Sequence, residues 1–248
     1  MEQCVLPNWH EWSDEELMQW DNREFAERFV ERARTWALDV TDPKKYELRP
    51  MSDEEKHEVL VKWNQTHAWL EWWLGVPPPA KQLTMLGNED FPIKLLLAQQ
   101  IIDEVKHQRA LTKRVVALGG NPRLDIFVPR DADAASQKAT FKEDVLDIAA
   151  ALQCTGEVVL NENMKPESIL FRLLDDETAN TVLAELAPEE PRHIKIGIDL
   201  FTKYAGTPEI RRRLVRVQND KLTALYGRYL ADFSMLGAVR LEPQPVVA

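Results

Sequence analysis

The stretch LLLAQQIIDEVKH, residues 95–107, places a carboxylate and an imidazole within a long apolar run. Glu104 and His107 are three residues apart, so both lie on one face if the stretch is a helix. A carboxylate that is buried without a partner carries a large desolvation penalty, so a buried acid needs a counterion or a ligand. The stretch therefore predicts a helix whose inward face carries a polar site.

The same Glu-x-x-His spacing occurs twice more in the chain. Glu190 and His193 repeat it directly before a segment that carries Ile194, Ile196, Ile198 and Leu200. Glu54 and His57 also repeat it, but they lie in the polar first turn of a predicted helix. We interpret this last copy as part of a solvated face, and only the other two as candidates for a buried site.

Two further acids, Glu71 and Glu157, extend the pattern in apolar surroundings. Each precedes the glutamate of a Glu-x-x-His by 33 residues, since 104 − 71 and 190 − 157 are both 33. A helix, a turn and an antiparallel return helix can bring residues at about this separation to the same depth. Two such pairs predict one site that is built from four helices.

Four carboxylates and two imidazoles at one level form an oxygen-rich site for two divalent metal ions. These ligand types favour Fe or Mn over Cu or Zn, so we expect two Fe ions, with Mn or a mixed Fe/Mn pair as alternatives. The other interpretation is that the same residues are salt-bridge partners in the core. The expected metal ligands, which are also the expected catalytic residues, are Glu71, Glu104, His107, Glu157, Glu190 and His193.

The position of Glu71 leaves two alternatives open. Glu71 lies four residues before Gly75, whereas Glu104 lies well inside its predicted helix, so a straight hairpin would put them at different heights. Either the connection over 74–89 continues as helix or climbs along the bundle, or the ligand is Glu58 and Glu71 caps the end of the bundle. We expect Glu71.

Asp103 and Glu189 each come one residue before a predicted ligand glutamate. A step of one residue turns about 100° around a helix, so each side chain is expected to point towards a neighbouring helix. There, Asp103 would accept a hydrogen bond from His193 and Glu189 one from His107, which would fix both rings. The alternative is that both are surface acids.

Pro188 and Pro191 flank Glu190 and remove backbone donors from this segment. One interpretation is that a helix begins at Pro188. The other is a kink or a π-bulge at the site, which leaves room for a ligand to move. The helical pattern of residues 178–187 favours the kink.

The distribution of glycine and proline predicts an all-α fold. The chain has only nine glycines, and most of its 15 prolines separate long segments with helical periodicity. We expect a four-helix bundle over about 52–205, flanked by additional helices over about 13–40 and 208–236, in a single domain over 1–248. The four bundle helices are expected over 52–75, 90–118, 134–163 and 177–204.

The composition excludes several classes of protein. With 31 basic and 41 acidic residues the net charge is −10, which argues against a nucleic-acid or membrane-surface protein. Cys4 and Cys154 cannot form a disulfide framework or a four-thiolate metal site. The sequence shows no signal peptide and no apolar run of membrane-spanning length, so we expect a cytoplasmic protein.

Three segments resemble a known group of proteins: QTHAWLE (65–71), LLAQQIIDEVKH (96–107) and EEPRHIKIG (189–197). They are similar to helices of the ferritin-like di-iron carboxylate superfamily, most of all to the phenylacetyl-CoA oxygenases and bacterial multicomponent monooxygenases. The similarity covers about residues 60–205, and its specific part is the two Glu-x-x-His segments.

This resemblance implies a di-iron oxidase or monooxygenase that activates O₂ to oxidise a small organic substrate, an acyl-CoA type being one option. The electrons would come from a separate donor or reductase, because the chain has no dinucleotide fingerprint and no cysteine cluster. A homo- or hetero-oligomer is expected. The alternatives are an iron-handling ferroxidase, a peroxide-scavenging ferritin-like protein, and a metal-free helical partner subunit.

Overall fold

The computed structural model of the chain describes residues 12–42, 45–172 and 174–240. Across these ranges the fold is all-α, as predicted, with one short two-stranded sheet. No helix within them is long and apolar enough to cross a membrane. Cys4 and the tail after Arg240 lie outside the described residues.

The long predicted segments correspond to a larger number of shorter helices. In chain order these are α1 (Asp14–Gln19), α2 (Asn22–Val40), α3 (Asp53–Leu70), α4 (Pro77–Met85), α5 (Phe91–Ala117), α6 (Asp131–Thr140), α7 (Val145–Ala151), α8 (Glu157–Arg172), α9 (Asp176–Thr181), α10 (Glu190–Tyr204) and α11 (Pro208–Met235).

The predicted N-terminal helix over 13–40 is interrupted between α1 and α2. The carboxylate of Asp21 accepts a hydrogen bond from the backbone N–H of Glu24 at 2.7 Å, which caps a new helix. Ser13 and Glu16 form the predicted capping box at the start of α1.

The predicted helix over 52–75 begins as expected and then changes its pitch. Ser52 and Glu55 form the capping box of α3, which ends at Leu70. A π-helical turn over Glu71–Gly75 follows, and Pro77 begins α4. The connection over 74–89 is therefore largely helical, which is the first of the two alternatives.

Helix α5 matches its predicted range of 90–118 within a residue at each end. Its 27 residues give a length of about 40 Å. Gly119 follows with a φ of +74°, a conformation that favours glycine and ends the helix.

The predicted helices over 134–163 and 177–204 are both interrupted. Asp144 caps α7 by accepting the backbone N–H groups of Leu146 and Asp147, so α6 is a separate helix. A π-helical turn over Leu152–Gly156 joins α7 to α8, and α8 extends to residue 172, beyond the predicted end. Another π-helical turn, Val182–Leu186, and a turn over 187–189 separate α9 from α10.

The packing places α5 between α3 and α10, and α8 against α10. Helix α2 lies on α8 and α10, where Phe25 and Phe29 contact Phe201. Helix α11 packs against α6 and α7. One buried apolar cluster joins these helices, so that α3, α5, α8 and α10 share an interior in which a polar site can be buried.

The small sheet pairs two segments that are far apart in the chain. Strand β1 (Tyr46–Leu48) is antiparallel to β2 (Ala238–Arg240), with Tyr46 opposite Arg240. The ring of Tyr46 stacks on Phe233 at a centroid distance of 4.2 Å. The sequence analysis did not predict this sheet, because three residues are too few for a recognisable strand pattern.

Candidate metal centre

Six buried side chains meet where α3, α5, α8 and α10 converge. The middle of α5 provides two of them, α10 provides two from its first turn, and the other two lie where a π-helical turn meets α3 or α8. These six residues, none more than 7% exposed, are Glu71, Glu104, His107, Glu157, Glu190 and His193. They are the six residues that the sequence predicts as metal ligands.

One half of the site is built around His107. Its Nδ1 atom lies 3.5 Å from Glu71 Oε2 and 3.6 Å from Glu104 Oε2. Glu190 Oε1 is 3.9 Å away. The oxygens of Glu71 and Glu104 and a nitrogen of His107 are close enough together to hold one metal ion.

The other half is built around His193. Its Nδ1 atom lies 3.3 Å from Glu104 Oε1 and 3.5 Å from Glu190 Oε2. Glu157 Oε1 is 4.0 Å away. The group of Glu104, Glu157 and His193 is also close enough together to hold a metal ion.

Glu104 and Glu190 connect the two halves. Each directs one carboxylate oxygen towards His107 and the other towards His193. The two imidazole rings are 6.1 Å apart between centroids. Glu104 and Glu190 therefore occupy positions from which a carboxylate can bridge two ions, while Glu71 and Glu157 each belong to one half.

The polar atoms of the site fit a pair of divalent metal ions. Both ring nitrogens of His107, both of His193 and Glu190 Oε2 are buried and make no hydrogen bond in the described part of the chain. Buried polar atoms without a partner are rare in folded proteins because each carries a desolvation cost. Metal ions held by the carboxylates would provide a partner for the Nδ1 atom of each ring and for Glu190 Oε2, and such mixed nitrogen and oxygen ligands suit divalent metal ions. The Nε2 atom of His193 faces Asp103 instead.

The carboxylates of the site strongly change one another's pKa values. Burial, reinforced by the charge of Glu157, raises the pKa of Glu104 and of Glu190 well above the usual range. Burial alone would lower the pKa of His107, but the facing Glu104 and Glu71 outweigh it and raise that pKa to about 11. Without metal, the site therefore retains protons that metal ions would displace.

Gly75, the last residue of the π-helical turn that begins at Glu71, makes room for Glu104. A Cβ atom at Gly75 would lie 2.4 Å from Glu104 Oε2 and 2.6 Å from its Cδ atom. These distances are far below van der Waals contact, so any larger residue would displace the carboxylate.

A chain of buried glutamines holds Glu157, and the sequence analysis missed it. Gln100 Nε2 donates to Glu157 Oε1 at 2.9 Å, and Gln153 Nε2 donates to Gln100 Oε1 at 3.1 Å. Gln153 also donates to Gln82 at 2.7 Å. Gln100 and Gln153 each lie four residues before a site glutamate in an apolar run, which is a signal that could have revealed them; Gln82 shows no such signal.

Asp103 faces His193, on the side that the sequence predicts. Its Oδ2 atom is 3.5 Å from His193 Nε2, longer than the expected hydrogen bond of about 2.7 to 3.2 Å. The shorter bonds of Asp103 come from Arg192 at 2.5 Å, Gln99 at 2.8 Å and Lys106 at 3.1 Å. Asp103 is fully buried and lies between His193 and these donors.

The expected contact between Glu189 and His107 is not made. Glu189 lies in the turn before α10, and its ion-pair contact is with Arg192 of its own chain segment, at 4.0 Å. Within the described ranges, no atom pair of Glu189 and His107 comes within ion-pair distance. The structure thus brings only Asp103 of the two predicted supporting acids to the site.

The other residues that the sequence offered for this site lie on the surface of the protein. Glu58, the alternative to Glu71, is exposed. Glu54 and His57, the third Glu-x-x-His copy, are also exposed, near the start of α3. Neither alternative competes with Glu71, Glu104 and His107 for the interior of the fold.

A cavity of about 40 Å³ adjoins the site carboxylates. Glu71, Glu104 and Glu157 form part of its wall, together with leucines and with Lys221 and Arg228 of α11. This volume is room for about three water molecules. The carboxylate cluster therefore borders a space that a small molecule can enter.

No family model matches this chain, and no curated protein is significantly similar to it.

Proposed function

We propose that the chain is a ferritin-like di-metal carboxylate enzyme that uses O₂ to oxidise a small organic substrate. The observation that carries the proposal is the pair Glu104 and Glu190, each of which faces both His107 and His193. A single metal ion would need only one half of this arrangement. Bridging carboxylates between two Glu-x-x-His motifs are the ligand pattern of ferritin-like di-iron proteins.

In this proposal Glu71 and His107 would hold one ion, and Glu157 and His193 would hold the other. Two iron ions, once bound, would supply the redox chemistry that activates O₂. The chain's own contribution is positional: Gln100 orients Glu157, Asp103 supports His193, and the buried walls exclude bulk water.

The electrons would come from a separate donor protein. The whole chain has two cysteines, and the described one, Cys154, is fully buried. Burial raises the pKa of its thiol above the usual range, so it is a poor redox group. A reductase would therefore have to deliver electrons from outside.

A ferritin-like ferroxidase or peroxide scavenger is the second candidate, and the small size of the cavity favours it. About 40 Å³ accommodates O₂ or peroxide without any displacement of side chains. The two candidates differ in what starts O₂ consumption by the iron-loaded protein. The first requires an organic substrate, whereas the second proceeds with Fe²⁺ or peroxide alone.

The test of the metal centre is elemental analysis of protein expressed with ample Fe or Mn. We expect about two ions per chain, and we expect Glu104→Ala and Glu157→Ala each to abolish binding of the pair. His57→Ala is the matched control, because it removes the imidazole of the exposed Glu-x-x-His copy and should leave the metal content unchanged. A folded helical protein without metal would refute the proposal, as would a loss of metal in His57→Ala equal to that in His107→Ala.

A further inference from the structure

An apolar stripe runs along the outward face of α5, on the side opposite Glu104 and His107. Its members follow one another at intervals of four and three residues in turn, which is the spacing by which one helix packs along another. Four of the five are large side chains that are between 39% and 61% exposed. Single exposed apolar residues are common, but a continuous line of them marks a contact surface. The stripe consists of Phe91, Leu95, Ala98, Ile102 and Val105.

The neighbouring helices leave this stripe uncovered. Helix α5 packs against α3, α4 and α10 with its other faces, whereas α2 and α11 cover other parts of the fold. The four large side chains of the stripe therefore remain exposed in the described part of the chain. A stripe this narrow is typical of a seam between two helices, whereas the apolar face of a helix that lies on a membrane is broader.

The order of side chains along the stripe is self-complementary in an antiparallel arrangement. Two large residues stand on each side of the small Ala98. In an antiparallel pair of α5 helices with its two-fold axis at the level of residue 100, Ala98 of one copy faces Ile102 of the other. Leu95 faces Val105 in the same way, because both intervals have residue 100 as their midpoint. Each large side chain thus meets an apolar partner, and the room above Ala98 is filled.

The charges beside the stripe fit the same alignment. Arg109, the next position of the line, would face Phe91 of the second copy, which permits a cation–π contact. The exposed Glu89 of that copy lies within about 3 Å of the same level, so it can also pair with Arg109. At the flanks, Lys94 would face Gln108, and no lysine faces a lysine. A parallel pair would instead place each lysine beside its own copy, which is unfavourable.

We propose that a second copy of this chain docks on the stripe, with the two α5 helices antiparallel across a two-fold axis near residue 100. Each copy then uses the same surface, as a two-fold interface requires. The contact from Phe91 to Arg109 is only about 27 Å long, so the dimer belongs to the smaller specific interfaces and should dissociate on dilution. This inference does not depend on the metal centre.

The first test is sedimentation velocity of the full chain between about 1 and 100 μM, a range in which an interface of this size should form and dissociate. We expect monomers at the low end and dimers at the high end. Ile102→Glu should abolish the dimer, because it places a carboxylate against the apolar layer of the other copy. The matched control is Leu38→Glu on α2, since Leu38 and Ile102 are 54% and 51% exposed. Both variants should keep the helical spectrum of the unmodified chain.

Two results would overturn the inference at this stage. A dimer that persists in Ile102→Glu forms through another surface. A chain that stays monomeric at about 100 μM has no such self-contact, and the stripe then serves a different partner. Sedimentation with anionic phosphatidylglycerol vesicles, lost in Ile102→Glu, would identify that partner as a membrane.

The second test determines the alignment of the two helices. Ile101 lies beside the proposed axis, so Ile101→Cys should be joined to its own copy by a short bifunctional maleimide. Phe91→Cys should not be joined, because the two Phe91 positions are about 27 Å apart along the axis. Both variants are made in a Cys4→Ser background, since Cys154 is buried. Joining of both variants would show a parallel pair and joining of neither a contact elsewhere, and either result refutes the antiparallel dimer.

Discussion

At the scale of single residues, Gly75 shows how the backbone makes room for a buried carboxylate. Its missing side chain is the space in which the Glu104 carboxylate lies. We expect Gly75→Ala to displace Glu104, which serves both halves of the site, and to lower the affinity for metal at least about tenfold, as loss of well-placed ligand geometry does. The change in the free energy of unfolding should stay at about 1 to 3 kcal/mol, because a flexible side chain can move away.

The matched control is Gly227→Ala in α11, where a Cβ atom would meet nothing within 4 Å. This substitution should leave metal binding unchanged and stabilise the helix by up to about 1 kcal/mol. Metal titration and chemical denaturation of both variants provide the measurements. A Gly75→Ala protein with normal metal affinity would show that Glu104 is not a ligand in the observed position.

The two acids that precede Glu104 and Glu190 should behave differently. Asp103 is buried against His193, so Asp103→Asn should weaken metal binding by about 10- to 100-fold. Glu189 does not reach His107, so Glu189→Gln should change metal affinity by less than about twofold. Metal titration of the two variants side by side decides this, and equal effects would contradict the observed placement of these side chains.

At the scale of the elements, α3 depends on a capping box that is remote from the metal centre. The hydroxyl of Ser52 accepts the N–H of Glu55 at 3.2 Å, and the Glu55 carboxylate accepts the N–H of Ser52 at 2.8 Å. We expect Ser52→Ala to destabilise the protein by about 1 kcal/mol, because it leaves N–H groups at the helix start without a partner.

Denaturation in urea measures this loss, and Ser52→Thr, which keeps the hydroxyl, is its control. The metal content of Ser52→Ala should equal that of the unmodified protein, since Glu71 lies at the other end of α3. If Ser52→Ala loses metal, the start of α3 is coupled to the centre in a way that the contacts do not indicate.

At the scale of the whole molecule, we expect the buried acids to make metal binding depend on pH. The pKa of His107, at about 11, means that the metal-free site carries at least one proton at neutral pH, and the raised pKa values of Glu104 and Glu190 act in the same direction. Metal ions bind the deprotonated forms and release these protons. Affinity should therefore rise with pH, by at least about tenfold per unit if one or more protons are released.

Competition titrations with a chelator at about pH 6 and pH 8 test whether metal affinity rises with pH. The results must be corrected for the titration of the chelator itself. Titrations in buffers of different ionisation enthalpy count the released protons independently. An affinity that is constant or falls between these pH values would contradict the protonated state of the empty centre.

The sequence alone was enough to predict which site residues share a face within one helix. The spacing of Glu104 and His107, and of Glu190 and His193, determines which face of a helix they share, because helical geometry depends only on residue separation. The repeated interval of 33 residues then pointed to Glu71 and Glu157. Exposed competitors such as His57 were recognisable from their polar neighbours.

Other features depend on how the helices are broken and packed. The π-helical turns at Glu71–Gly75 and Leu152–Gly156 carry no clear local sequence signal, and they set the height of Glu71 and the position of Glu157. The turn over 187–189 directs Glu189 towards Arg192 instead of His107. These positions follow from the fit between helices, which spacing within one helix does not specify.

The sequence by itself thus determined the all-α fold and the six residues that converge, because both follow from periodicity and from the cost of burying acids without partners. Only the tertiary structure decided which carboxylates face both histidines, and that the buried Lys221 donates to Ser136 and Thr140 of another helix. These are relations between side chains of different helices. Their distances arise from packing, and no interval along the chain encodes them.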